Sequence, residues 1–331
     1  MVLTADHPVL ARIRDSARLA SNGGRHTVTF HAMATACKLS FAASTETARV
    51  IAESAVRRVA DFEAKYSRFL PDSLISRINV AAGTDWTEID PETERILALC
   101  QEAHFLTRGV FDPTALPLIQ LWNWKQTPPI VPTAKAIDAA RQKTGWRKVQ
   151  RSPGRVRLPE PGMSLDLGGI GKEYAVDQVA RLALGHGLPG ILVDFGQDVF
   201  VYGQPPDGRP AWKIGLEDPE RPGSCWTALA VRDCAVASSG DYARRFTIDG
   251  RRYGHIIDIR TGQPVNNGCR AVSVLAPSCT VAGMLSTAAF VLGPEEGLHL
   301  IESYFQAEGC LVFDDRKITT RRFYDHVIKE K

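Results

Sequence analysis

The stretch from Val281 to Leu292, "VAGMLSTAAFVL", carries no charge. A helix that is apolar on nearly every side must be buried, so the chain has to pack other elements around this one. Within its first turns stands Gly283, where glycine costs about 1 kcal/mol relative to alanine. The reason for that cost lies in what the rest of the chain holds.

The 331 residues are 44% hydrophobic, enough to bury a real core in one large domain or two ordinary ones. Forty Lys and Arg against 37 Asp and Glu leave a net charge of +3, too small and too evenly spread to suggest nucleic acid or a membrane surface. An anionic partner would be met locally. The seven cysteines are widely spaced and include no CxxC pair. Reduced thiols in a cytoplasmic protein are therefore preferred over a metal knuckle or a disulfide framework. Residues 1–27 carry charges at Asp6, Arg12, Arg14, Asp15 and Arg18, which interrupt any apolar core of signal-peptide length. They read as a short helix or a mobile arm. No segment approaches the ~18 uncharged apolar residues of a membrane span.

Along the chain, "HTVTFHAMATACKLSFAA" is β-branched and partly alternating, as strands are, and "STETARVIAESAVRRVADFEAKYSRF" has helical spacing behind a Ser or Thr cap. "ETERILALCQEAHFLTRG" reads as a second helix stopped by Gly109. The proline-rich "QTPPIVPTAK" leads into a third near Ala134. "GMSLDLGGIGKEYAVDQVARLALGHG" reads as a strand, a glycine turn and a helix. Strand-like runs follow, with a hairpin turning at Asp249-Gly250. Strands and helices do not alternate as βαβ units, which makes the class α+β.

Several clusters carry chemistry. Gly168, Gly169 and Gly171 precede a helix beginning near Lys172; small residues there let amides approach a phosphate, though a tight structural turn reads the same way. The nucleotide fingerprints fail, since Tyr174 breaks a GxGxxG and Glu173 breaks a P-loop. Asp112 in "GVFDPTALPLIQLWNW" reads as a turn with an aromatic core or as an acid beside an aromatic ligand wall. His255, Asp258 and Arg260 fall within six residues in "HIIDIR". On a strand, His255 and Asp258 point to opposite faces unless the chain bends. "SSGDY", with Ser238, Ser239, Gly240 and Tyr242, by itself says only turn.

Taken in order, "YSRFLPDSLISRIN", "GVFDPT", "LDLGGIGKEYAVD", "SSGDY", "HIIDIRTGQPV" and "LSTAAFVLG" resemble the ApbE family of FAD:protein FMN transferases. The resemblance implies one T-fold-related α+β domain over residues 28–331, with mainly antiparallel sheets and packed helices. It implies an enzyme that binds FAD, uses Mg²⁺ and moves FMN to a Thr or Ser hydroxyl of an acceptor flavoprotein, releasing AMP. It places FAD contacts at Met33, Ser67, Arg68, Phe69, Asp112, Gly168, Gly169, Lys172, Glu173, Ser239, Gly240, His255 and Arg260. His255 becomes the general base, with Asp258 orienting it or assisting the metal. The Gly171 carbonyl and the Thr287 hydroxyl become metal ligands.

This chain departs from the family strings at Gly171, where the family usually has Ala, and at three further places. Gly283 stands where the "ADALSTA" form of the last motif has its metal-binding aspartate, Gln197 stands in the usual "GGD", and Ile259 follows Asp258. Loss of the main carboxylate weakens a Mg²⁺ site, because that ion prefers hard oxygen ligands, commonly one or two carboxylates. The alternative expectation is a relative that binds FAD without metal-dependent transfer: a flavin carrier, a maturation factor or a flavin-dependent redox protein.

Overall fold

The computed structural model describes residue 4, residues 7–241 and residues 244–329. Tyr242 and residues 1–3, 5 and 6 lie outside them. A nine-stranded sheet forms the frame: β1 (Arg18–Asn22), β2 (Arg25–Ala32), β3 (Thr35–Ala42), β4 (Gly190–Phe195), β5 (Asp198–Gly203), β6 (Cys234–Gly240), β7 (Cys269–Ala276), β8 (Glu308–Phe313) and β9 (Lys317–Thr319). The strands lie side by side in chain order, and each neighbouring pair is antiparallel.

The helices are α1 (Pro8–Ser16), α2 (Thr45–Tyr66), α3 (Leu74–Val80), α4 (Pro91–Leu106), α5 (Leu116–Leu121), α6 (Ala134–Gln142), α7 (Gly171–Leu184), α8 (Cys279–Leu292) and α9 (Pro294–Ser303). Strand β2 buries Val28, Phe30 and Ala32 and turns Thr29 and His31 outward, the period of two expected of a half-buried strand. By contrast β7 is buried along nearly its whole length. Val272 and Val274 face the main core with α2, α7 and α8, while Ala271 and Leu275 face a second cluster under the hairpin of strands Trp212–Glu217 and Cys225–Val231. Helix α8 packs against β6, β7, α7 and α9, which accounts for its apolar sequence.

A third cluster, Leu118, Trp122, Ile137, Ala140, Tyr253 and Ile257, joins α5 and α6 to the hairpin of strands Arg245–Ile248 and Arg251–Gly254. That hairpin turns at Asp249 and Gly250, both in the left-handed region (φ 49° and 75°), as its sequence predicts.

Two expectations need correction. For the N-terminal segment, the short-helix reading rather than the mobile-arm one describes residues 7–27. Helix α1 buries Val9, Leu10 and Ile13 in the main core, Arg12 bonds Glu63 of α2, and β1 forms the sheet edge. The expected strand before the glycine turn does not form. Its backbone groups are taken by Asn79, whose amide bonds both the N–H and the carbonyl of Leu165, and by the Pro113 carbonyl, which accepts from Asp166 N. A side chain and a loop replace the neighbouring strand. Within "PDSLISRIN" the structure adds α3, opened by Ser73 Oγ accepting from Ser76 N.

Candidate functional site

Helices α7 and α8 meet along a polar seam. Asp177 of α7 accepts from Cys279 N (2.8 Å), Thr280 N (2.9 Å) and Thr280 Oγ1 (2.7 Å), so one helix supplies the N-terminal cap of the other. Burial pushes the Asp177 carboxyl up, opposed by those three bonds. Deeper along α8, Ser239 Oγ at the end of β6 bonds both Ser286 Oγ and Thr287 Oγ1 at 2.9 Å, and Ser286 donates to the Gly283 carbonyl. Three sequence-distant segments are thus tied by hydroxyls.

The glycine turn feeds α7. Gly168 N donates to Asp166 Oδ1, and Asp166 Oδ2 accepts from Arg68 Nε at 3.1 Å. A Cβ on Gly169 would lie 3.2 Å from the Phe111 ring, and one on Gly171 would meet Phe62 and Leu167 at 3.5 Å, so the turn packs closely against α2 and the 111–114 segment. Helix α7 has no side-chain cap at its N-terminus; Ile170 N and Gly171 N donate instead to the Leu167 carbonyl. Lys172 beside them donates to the Phe195 carbonyl at 3.1 Å and is paired with Asp198. Glu173 is buried, its carboxyl raised by desolvation, and its Oε2 has no hydrogen-bond partner.

Around this centre the other expected contacts divide. Phe69 is 75% exposed and lies under the Arg68 guanidinium at 4.1 Å, with Ser67 ending α2 beside it. Met33 and Ala34 turn β2 into β3 with φ of 49° and 59°, and Met33 N donates to Glu63 Oε2. Asp112 is different. Its carboxylate accepts from Thr114 N, Thr114 Oγ1 and Trp146 N, which anchors the turn against the aromatic core. Gly240 continues the β6 ladder opposite Ala271.

His255 and Asp258 are not partners. Asp258 is held by Arg260 through Nε, an NH2 group and the backbone N–H. The strand pair Ile257–Asp258 and Gln263–Pro264 makes the intervening residues a tight turn, with Trp122 Nε1 donating to the Gly262 carbonyl. His255 Nδ1 is buried with no partner. Burial and the Arg244 charge lower its pKa from 6.5 to about 4, so the ring is neutral at pH 7. The neighbouring Ile256 and Val265 pack on Val110, Ala288 and Val291, which seats this rim against α8.

The sequence reading missed Asp166, Asp177, Asp198 and Ser286. The first two lie inside "LDLGGIGKEYAVD", and Asp198 lies inside "GQD"; residence within those strings was the available signal.

Residues 33–311 match the ApbE family. The FAD:protein FMN transferase of Treponema pallidum is 34% identical over 265 residues, 75% of this chain and 72% of that protein. That of Vibrio cholerae is 33% identical over 240 residues, 72% of each chain. Among solved structures, the flavin transferase ApbE from Vibrio cholerae aligns with a TM-score of 0.82 at 26% identity, covering 94% of this chain and 99% of that one. The ApbE protein from Thermotoga maritima gives 0.83 at 29% identity, covering 92% and 100%. With one all-antiparallel frame and these matches over most of its length, this chain belongs to the ApbE family.

Proposed function

We propose that this protein is an FAD:protein FMN transferase. The reading is carried by the glycine turn that leads into α7 with Lys172 in its first turn, in a chain whose relatives of that activity match it over about three quarters of its length. The positive end of the helix dipole and the Lys172 ammonium suit a pyrophosphate. Phe69, exposed and aromatic, offers a face to a flavin or adenine ring.

In the reaction, an acceptor Thr or Ser oxygen bonds to the FMN phosphorus, the phosphoanhydride bond to the AMP half breaks, and the hydroxyl proton goes to a base. His255 fits that base: its imidazole is neutral and Nδ1 is unengaged. Asp258 and Arg260 hold the turn after it rather than the ring itself.

The residues also fit Mg²⁺. Among the described residues no three His, Cys, Asp or Glu group closely enough to cage an ion. Oxygen donors are present, however: the Thr287 hydroxyl, the Gly171 carbonyl and the unpartnered Oε2 of Glu173. Mg²⁺ takes few protein ligands and completes its shell with water and substrate phosphate. When bound, it supplies charge neutralisation for the pyrophosphate. Seven free cysteines, five of them buried, fit a reducing compartment such as the cytoplasm. No helix among the described residues is long and apolar enough to cross a membrane.

The test incubates the protein with FAD, Mg²⁺ and a Thr-containing acceptor protein of the family type, following AMP by chromatography and FMN on the acceptor by mass spectrometry. Stoichiometric AMP and flavinylated acceptor are expected. His255→Ala should lose at least ~100-fold in rate, the usual scale for a general base, while still binding FAD. Gly283 favours the second reading, FAD binding without transfer, and FAD recovered intact would establish it.

A further inference from the structure

Glu173 is 7% exposed, and its Oε2 is buried without a hydrogen-bond partner. Buried polar atoms nearly always have one, and a carboxylate oxygen without any lacks a positive group that should meet it. Lys172 does not serve. Its ammonium stands 3.9 Å from the other oxygen and is directed to Asp198 and the Phe195 carbonyl.

The surroundings define what is missing. A Cβ built on Gly283 would lie 2.5 Å from Glu173 Cγ, 3.1 Å from its carboxyl carbon and 3.3 Å from Oε1. Glu173 therefore fills the space that any side chain at residue 283 would need. The glycine in α8 is the condition for the glutamate of α7. Beside it the Gly283 carbonyl accepts from Ser286, and Thr287 stands one turn further along the same helix face, bonded to Ser239. A carboxylate beside a hydroxyl oxygen suits a hard divalent cation.

We propose that Glu173, reaching from α7 into the place beside Gly283 and Thr287, is the carboxylate that binds Mg²⁺ in this protein. The inference rests on the flavin-transfer reading for the identity of the ion. It assigns the metal-binding acid to a helix other than the one on which the last sequence motif would place it.

The test reads metal binding rather than turnover. Mn²⁺ is titrated into the FAD-loaded protein without acceptor, and the free ion is followed by electron paramagnetic resonance. Glu173→Gln keeps the shape and removes the charge, and it should weaken Mn²⁺ binding at least ~10-fold, the lower end of losses for groups that serve a metal site. Gly283→Asp alone drives a Cβ into Glu173, so it should lower the melting temperature without tightening Mn²⁺. The double variant Glu173→Gly, Gly283→Asp returns a carboxylate from α8 and should bind Mn²⁺ within a few-fold of the parent. Equal Mn²⁺ affinity in Glu173→Gln and the parent would overturn the proposal, as would a parent that binds no Mn²⁺. FMN transfer measured on the same parent preparation decides the enzyme reading separately. Transfer with a charge-insensitive Mn²⁺ affinity removes Glu173 and keeps the enzyme.

Discussion

The seam between α7 and α8 and the rim at residues 255–262 use polar groups in opposite ways. In the seam, Asp177 reaches across to Cys279 and Thr280, and Ser239 to Ser286 and Thr287. Most of those polar atoms are matched over long sequence separations, and the shape is over-determined. At the rim the main ionic bond is local, Asp258 to Arg260, and it rests on a satellite cluster of its own. There the imidazole of His255 is left with a buried nitrogen that nothing in the described chain satisfies. A pocket that holds an ion or a phosphate gains from fixed donors. A base that must accept a substrate proton gains from being unengaged.

The largest effect should come from breaking the seam. Asp177→Ala leaves two helix-start N–H groups and a buried hydroxyl without their acceptor. The loss should be roughly 3 kcal/mol or more, since bonds to a charged group contribute about 1.5–3 kcal/mol each. At ~2–4 °C per kcal/mol for a large domain, the melting temperature should fall by about 6–12 °C. A fall of only a degree or two would mean that α8 holds its place without α7, and the contrast between the regions would collapse.

The rim should answer to pH instead. His255 is lowered from 6.5 to about 4, so between those values the unfolded chain carries a proton that the folded chain resists. Stability from this group is full above 6.5 and declines as pH falls toward 4, by up to roughly 3 kcal/mol at 1.36 kcal/mol per unit. For transfer, the same shift means the base stays neutral through the usual histidine range. The acid limb of the rate profile should therefore break well below 6.5. A break at 6.5 would show that bound FAD restores an ordinary imidazole, its phosphate charge offsetting the burial.

Legibility followed the same division. The strings that carry the site could be read along the chain because each is local: the glycine turn and its helix, the "DG" hairpin, the apolar α8. The pairings between them could not. Nothing in the spacing of Glu173 and Gly283 says that one fills the other's place; it takes the packed helices to bring Glu173 Cγ to 2.5 Å from a Cβ built there. The N-terminal segment misled because its charges interrupt the run, yet in α1 they fall on the outer side while Val9, Leu10 and Ile13 turn inward at helical spacing. "SLDL" has a strand's alternation, but a strand needs a neighbour, and here Asn79 takes that part. Asp112 shows the same limit. Its motif offered a turn or a ligand, and only the packed chain brings the three donors around it.

The smallest effect sharpens the seam's side of the comparison. Gln197 joins β4 to β5 with φ of 72°, a left-handed conformation that costs a residue with a side chain about 1 kcal/mol and glycine almost nothing. Its N–H donates to Asp194 Oδ1, a bond that glycine would keep, and the next residue is the Asp198 that pairs with Lys172. Gln197→Gly should therefore stabilise the fold by roughly 0.5 kcal/mol, once the added freedom of the unfolded chain is set against the relieved strain. The melting temperature should rise by about a degree or two, with FAD affinity unchanged in equilibrium titration. If FAD affinity falls while stability rises, the Gln197 side chain reaches the substrate, and the strained backbone at this turn is kept for binding rather than tolerated by the fold.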